Sequence, residues 1–90
     1  MVVIILKKAP VRLRGELTRW LLEPVPGVFV GHVSAMVREL LWEKCCENNP
    51  NGGVLQMWTT NNEQHYTLRM FGKTERSVID LDGLKMIKEP

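Results

Sequence analysis

The segment Val2–Leu6 most constrains the fold, because it is apolar at every position. Successive side chains of a strand point to opposite faces of a sheet, so an all-apolar strand has two faces to bury. Such a strand belongs at the centre of a sheet rather than at its edge. The sequence therefore predicts a central strand that needs packing partners on both sides.

Patterns of one helix and two short strands follow this segment. Apolar residues at helical spacing predict a first helix over Val11–Leu22, which ends because the residue before a proline disfavours the helical conformation. Pro24–Gly27 is typical of a turn. Val28–Val30 is predicted as a short strand, and His32–Val33 as a second one beyond the intervening glycine.

A second helix is predicted over Ala35–Glu47, with Ser34 as its N-cap. Its apolar stripe is expected to face the core, and the members of that stripe are Met36, Val37, Leu40 and Leu41. Two longer strands are predicted after it, Val54–Thr60 and His65–Phe71. In the second of these, apolar and polar residues alternate, as they do in a strand with one buried face.

The order of these elements predicts an α+β fold, a ferredoxin-like split βαβ sandwich with extra C-terminal strands over Val78–Leu81 and Leu84–Ile87. Residues 1–75 form the ferredoxin-like domain, and residues 76–90 form a C-terminal segment expected to dock on the sheet and on a partner. Helices cover one face of such a sheet. We therefore expect a homodimer in which a second copy covers the other face; the alternative cover is the chain's own C-terminal tail.

Composition indicates one small domain with localised positive charge. The chain has 90 residues and a net charge of +2. It shows neither a membrane-spanning run nor a signal peptide, so we expect a cytoplasmic protein without membrane contact. The first twenty residues contain five basic side chains and one acidic one, whereas the remainder is slightly acidic. A local basic surface suits a defined contact with an anionic partner.

Four cations lie near the predicted start of the first helix: Lys7, Lys8, Arg12 and Arg14. The positive end of a helix dipole favours acidic residues, so cations here are unfavourable unless an anion binds. Arginine forks and free N–H groups could converge on a phosphate. Solvated side chains that bind nothing are the alternative. Arg76, in a polar turn, is a further candidate for phosphate contact.

Acidic and sulfur-containing side chains offer few catalytic arrangements. Asp80 and Asp82 lie on one strand face and could hold Mg²⁺ or Mn²⁺ in a nuclease, but a third acid is needed. The end of the first strand, where that acid would be expected, has Lys7. Cys45 and Cys46 are adjacent on a helix and cannot pair without distorting it, so two reduced thiols are expected.

Several ordered motifs resemble one family over nearly the whole chain. They are Pro10–Gly15, Trp20–Glu23, Gly27–Gly31, Val33–Ala35, Arg38-Glu39, Trp42-Glu43, Phe71-Gly72 and Asp80–Leu84. Together they resemble the CRISPR-associated Cas-two family, in its type I-E subtype. The resemblance implies a ferredoxin-like homodimer that bridges two dimers of the Cas-one integrase and binds double-stranded protospacer DNA by its phosphate backbone.

The resemblance also implies roles for individual residues. The arginines that contact DNA in the subtype fall on Arg12 and Arg14, and a second basic pair falls on Glu75 and Arg76. The C-terminal strands resemble the segment that docks on Cas-one, which makes Val78, Ile79, Leu81, Leu84 and Met86 the expected partner-binding residues. Integration chemistry resides in Cas-one, so this chain is expected to need no cofactor. A metal-dependent endonuclease of RNA or DNA is the alternative.

Overall fold

The computed structural model describes residues 1–49, 52–60 and 65–72. Within them the chain alternates strands with two helices. In chain order the elements are β1 (Val2–Leu6), α1 (Val11–Leu17), β2 (Leu22–Val25), β3 (Val28–Gly31), α2 (Ala35–Asn48), β4 (Gly53–Thr59) and β5 (Tyr66–Gly72). The predicted C-terminal strands lie outside the described residues.

The five strands form one antiparallel sheet in the order β2-β3-β1-β4-β5. β1 is central, as its all-apolar sequence predicts. It is flanked by β3 and β4, both antiparallel to it, so β3 and β4 run parallel to each other with β1 between them. The unit β3-α2-β4 is thus a split βαβ crossover, and the predicted ferredoxin-like α+β fold is confirmed.

The core lies between the sheet and the two helices. Val2, Ile4 and Leu6 alternate with half-buried residues along β1 and point toward the helices. They join a buried cluster to which both helices and the neighbouring strands contribute, the other members being Leu13, Leu17, Leu21, Phe29, Leu41, Cys45 and Val54. This cluster holds α1 and α2 on one face of the sheet.

The predicted end of α1 is wrong. The helix ends at Leu17, and a tight turn follows in which Arg19 N–H bonds to the Glu16 carbonyl and Trp20 N–H to the Leu17 carbonyl. Leu22, which was predicted to be helical, instead begins β2 and pairs with Val30 of β3. The proline two residues later does not end a helix; it lies within an edge strand, where a missing N–H is tolerated.

Two smaller predictions also differ from the structure. β3 runs to Gly31, and His32–Val33 forms no strand. On α2, the buried residues are Leu41 and Cys45, with Val37 packed beside them, whereas Met36 and Leu40 are exposed. The inward stripe is therefore rotated from the predicted one, because Cys45 packs as a small apolar side chain.

The remaining features of α2 agree with the sequence. The Ser34 hydroxyl accepts a hydrogen bond from Val37 N–H at 3.2 Å, as an N-cap does. Both cysteines are free, with Cys45 buried and Cys46 partly exposed. Burial raises the pKa of Cys45 to about 12, so this thiol stays protonated and unreactive at neutral pH.

The second face of the sheet is apolar across its whole width. Residues directly opposite each other on paired strands share a face, so the registers show which residues of the other strands share the face of Val3 and Ile5. Its apolar members are Leu22, Val25, Val28, Val30, Val3, Ile5, Leu55, Met57, Tyr66, Leu68 and Met70. Gly53, Thr59 and Gly72 lie on the same face at the ends of β4 and β5. We call the apolar members the open face. Neither helix of the described residues packs on it.

The rotated stripe of α2 predicts a contrast between two adjacent leucines. Leu41 is fully buried, so Leu41→Ala should lower the free energy of unfolding by about 2–5 kcal/mol through lost burial and a residual cavity. Leu40 is 43% exposed, and Leu40→Ala should cost less than about 1 kcal/mol. Urea denaturation at one fixed protein concentration measures both. Equal costs would contradict the observed packing.

Candidate nucleic-acid interface

The basic segment begins where β1 ends, and its backbone there is held by the neighbouring strand β4 and by the end of α2. Lys7 N–H donates to the Gly53 carbonyl at 2.9 Å, and the Lys7 carbonyl accepts from Asn49 Nδ2 at 3.0 Å. Asn49 is buried and also bonds to the Gly53 carbonyl at 3.4 Å. The amide of Asn49 thus ties the C-terminal end of α2 to the end of the central strand.

Glycine is required where this connection passes β1. A Cβ on Gly52 would collide with the Lys7 carbonyl oxygen. Gly72 has a φ of +84°, and a Cβ there would lie 2.5 Å from the Gly52 carbonyl oxygen. The next basic residue, Lys8, has a positive φ of 58°, which is uncommon for a residue with a side chain. The chain therefore leaves the strand in a fixed, turned conformation.

Arg12 meets the expectation for an available cation. It is exposed in the first turn of α1, where the N-cap, Pro10, provides no side-chain hydrogen bond and no acidic residue is present. No ion pair links Arg12 to another residue in the described parts of the chain. Lys8 is exposed just before the helix. These two side chains leave positive charge at the surface.

Arg14, the other arginine expected to contact a phosphate, already has an acidic partner in the folded chain. Its guanidinium forms an ion pair with the carboxylate of Glu23 on β2 at 2.9 Å, and the same carboxylate accepts from Gly27 N–H at 2.9 Å. Because α1 ends at Leu17, Glu23 can reach Arg14 from the neighbouring strand. Arg14 therefore ties the helix to the β2–β3 turn, and its guanidinium remains partly exposed.

Two further charged residues of this region form no ion pair within α1 in the described residues. Glu16 pairs with Lys44 of α2 at 3.2 Å, although Arg12 lies four residues before it on the same helix. Arg19 lies in the turn after the helix and is exposed.

A second group of charged and aromatic side chains was missed by sequence reasoning. Arg69 of β5 bonds to Gln56 Oε1 of β4 at 2.6 and 2.9 Å and to Glu39 of α2 at 2.9 Å. Its guanidinium carbon lies 4.3 Å from the ring centre of Trp42 and 4.9 Å from that of Trp58. The group combines three elements, so no local pattern in the sequence reveals it.

Arg38 completes this group, and Glu39 joins the two arginines. The Arg38 guanidinium carbon lies 4.3 Å from the Trp58 ring centre, and its Nε donates to Glu39 at 3.2 Å. The hydrogen bond from Arg69, followed by that from Arg38, lowers the pKa of the Glu39 carboxyl, although desolvation acts in the opposite direction. Glu39 is therefore a carboxylate at neutral pH.

Other candidate residues cannot be placed. Arg76, Asp80 and Asp82 lie outside the described residues, as do Val78, Ile79, Leu81, Leu84 and Met86. Among residues 1–49, 52–60 and 65–72, no three histidine, cysteine or acidic side chains are grouped so as to hold a metal ion. None of the helices in the same ranges is long and apolar enough to cross a membrane.

The fold and the basic α1 region define a small ferredoxin-like protein with positive charge exposed beside its helix layer. A family model described as CRISPR-associated protein (Cas_Cas2CT1978) matches residues 1–86. Because this match covers nearly the whole chain, the chain belongs to the Cas-two family of CRISPR-associated proteins. The resemblance to Cas-two stated from the sequence motifs is confirmed at the level of the family.

The lowered pKa of Glu39 predicts a pH-dependent contribution to stability. A carboxyl whose pKa is lowered by folding stabilises the protein above its unfolded pKa, and this contribution is lost as the pH falls through the folded pKa. Glu39→Gln should therefore lower the free energy of unfolding at pH 7 by less than about 1 kcal/mol, since the carboxylate is nearly half exposed. The deficit of the variant should therefore shrink as the pH is lowered from 7 to about 3, below the usual pKa range of a glutamate.

Urea denaturation at the two pH values tests this expectation. Glu43→Gln is the matched control, because Glu43 is exposed on the same helix and forms no ion pair within the described residues. It should leave stability unchanged at both pH values. A deficit of Glu39→Gln that is equally large at low pH would show that its charge is not the cause.

Proposed function

We propose that this chain is a non-catalytic scaffold subunit of a CRISPR adaptation complex of the type I-E subtype. In this proposal a homodimer bridges two Cas-one dimers and binds protospacer duplex DNA through its phosphates. Family membership and the subtype motifs support the proposal. The observation that carries it is Arg12, exposed in the first turn of α1 and without an ion pair in the described residues.

Phosphate contact is the chemistry that these cations favour. Arginine presents a planar set of N–H donors that fits phosphate oxygens, and lysine adds a point charge. Such contacts position a protein on DNA without reading its sequence. Arg12 and Lys8 are the most available contacts, Arg14 contributes its partly exposed side chain, and Lys7 adds to the basic segment. Arg76 is proposed as a further contact on the strength of the sequence alone. Binding should depend strongly on salt and little on base sequence.

The cation at the end of β1 favours a scaffold over the metal-dependent nuclease. Relatives described as nucleases use an acidic residue near the end of the first strand. In this chain β1 ends at Leu6, and the residue that follows is Lys7. A lysine repels the divalent cation that such a reaction needs. A nuclease built on Asp80 or Asp82 would require Mg²⁺ or Mn²⁺ and would lose activity in Asp82→Asn without loss of folding.

The open face supports the homodimeric part of the proposal. Leu22 and Val25 are exposed on this face, Leu55 is buried and the other members are half-buried. Apolar surface that stays partly exposed in this way marks a site of association. A second copy presents the same surface, so two open faces can pack on each other about a twofold axis. The helix layers then lie outward on both sides of the dimer, which leaves Arg12 and Lys8 available to DNA. Docking of Cas-one is proposed for the C-terminal residues, on the strength of the resemblance.

The dimer is tested by placing a charge on either side of the subunit. Met57→Glu puts a carboxylate in the middle of the open face, and burying it would be costly, so the variant should be monomeric. Met36→Glu makes the same substitution at an exposed position of α2 and should remain dimeric. Sedimentation equilibrium measures both masses. A monomeric wild type would instead indicate that the chain's own tail covers the face.

Duplex binding is tested by the salt dependence of affinity. About three phosphate contacts per subunit give about six per dimer and a slope of log K against log[salt] of about −5. Arg12→Ala removes one contact per subunit and should flatten the slope by about two units, and Arg12→Ala with Arg14→Ala should flatten it further and block spacer acquisition. Fluorescence anisotropy with a labelled duplex measures the slope.

Arg19→Ala is the control, because it removes the same charge from the opposite end of α1. Its slope should stay close to that of the wild type. Unchanged affinity in the Arg12 and Arg14 double variant would refute the proposed contact. An equal loss in Arg19→Ala would mean that overall charge, rather than the start of α1, attracts the DNA.

A further inference from the structure

Arg38 and Arg69 both lie against the ring of Trp58. Arg38 and Arg69 come from different elements, yet their guanidinium carbons lie 4.3 and 4.9 Å from the centre of Trp58. The ring's negative face attracts each cation. Trp58 thus brings together two like charges that would otherwise repel each other. Both guanidiniums remain partly accessible to solvent, with side-chain exposures of 23% and 28%.

A buried amide fixes this arrangement. Gln56 is fully buried; its Oε1 accepts two hydrogen bonds from Arg69, and its Nε2 donates to the Arg38 backbone carbonyl at 3.1 Å. Gln56 therefore connects β4, α2 and β5 at the site. An arginine held in this way loses little further side-chain freedom when it binds a ligand, which favours binding.

The charges of the group are not balanced. Glu39 accepts hydrogen bonds from both guanidiniums through one oxygen, and it forms the only ion pairs that either arginine makes within the described residues. Two cations against one carboxylate leave one excess positive charge. The Glu39 side chain is 47% exposed, so solvent and other anions can compete for its place. The first turn of α2 contains no acidic residue that would oppose an incoming anion.

We propose that Arg38 and Arg69 form a second phosphate-binding site for the nucleic-acid backbone, in which a phosphate displaces the Glu39 carboxylate. This inference rests on the proposed duplex binding and extends it to α2 and β5. Guanidinium groups donate hydrogen bonds to carboxylate and phosphate oxygens with the same geometry, and a phosphate brings more negative charge and more acceptor oxygens. Glu39 then acts as a built-in competitor that limits affinity.

A purely structural role for the group leads to different expectations. If the arginines only hold α2 against the sheet, removal of Glu39 would weaken folding slightly and would not improve binding of any anion. If a phosphate replaces Glu39, removal of the carboxylate should strengthen nucleic-acid binding. For one substitution, therefore, the phosphate site predicts a higher duplex affinity and the purely structural role predicts no gain.

The test compares two exposed glutamates of α2, of which one pairs with the arginines and the other does not. Glu39→Gln should raise the affinity of the whole protein for a labelled duplex about three- to fivefold at low salt, the size of a surface charge interaction. Glu43→Gln removes the same charge from the same helix without breaking an ion pair of the described residues. It should leave the affinity close to that of the wild type, because Glu43 does not compete for either guanidinium.

Arg38→Met tests the cationic side of the site while keeping much of the side chain's bulk. Gln56 bonds to the backbone carbonyl of Arg38, which the substitution leaves in place, so the buried amide keeps its hydrogen-bond partners. The variant should flatten the salt slope by about one unit per site lost. In a Trp20→Phe background the remaining tryptophans are Trp42 and Trp58, and their fluorescence should change when duplex is added.

The outcomes separate this inference from the proposed function. Equal affinities for Glu39→Gln and Glu43→Gln, with an unchanged slope in Arg38→Met, would overturn the second site, and a loss in Arg12→Ala would leave the scaffold proposal intact. A flattened slope in Arg38→Met with no effect of Arg12→Ala would support the second site and overturn the contact at α1. Salt-independent binding by the wild type would overturn both.

Discussion

Burial of both faces of the central strand is the constraint on which this structure depends. Along β1, Val2, Ile4 and Leu6 face the helices and complete the core with residues of α1 and α2. The alternate residues, Val3 and Ile5, face the other way and continue into an apolar surface that spans all five strands. One strand therefore fixes both the position of the helix layer and the need for a second cover.

The same constraint divides the molecule into two chemically different sides. Cations gather on elements of the helix side, at the start of α1 and where Arg38 and Arg69 meet Trp58. The open face is apolar throughout its described width. In the proposed scaffold, association uses the apolar side and phosphate contact uses the charged side. This division explains how a chain of 90 residues could bind itself and a duplex without competition between the two.

Much of the fold is predictable from local patterns, whereas most of the charged contacts are not. The all-apolar β1, the capped start of α2 at Ser34 and the alternating β5 are visible in the sequence, because each depends on residues close together in the chain. The end of α1 was missed because pairing of Leu22 with Val30 overrides helical spacing. The Arg14–Glu23 pair follows from that same turn, and the site around Gln56 requires three elements to meet.

Footprinting of side chains on the two sides, with and without duplex, tests the account most directly. Met57 and Met70 lie on the open face, so in concentrated protein they should resist hydroxyl-radical oxidation and become reactive on dilution, whether or not DNA is present. Lys8, exposed before α1, should be acetylated freely without duplex and slowly with it. The account would be contradicted if adding duplex protected the two methionines and left Lys8 as reactive as it is without duplex.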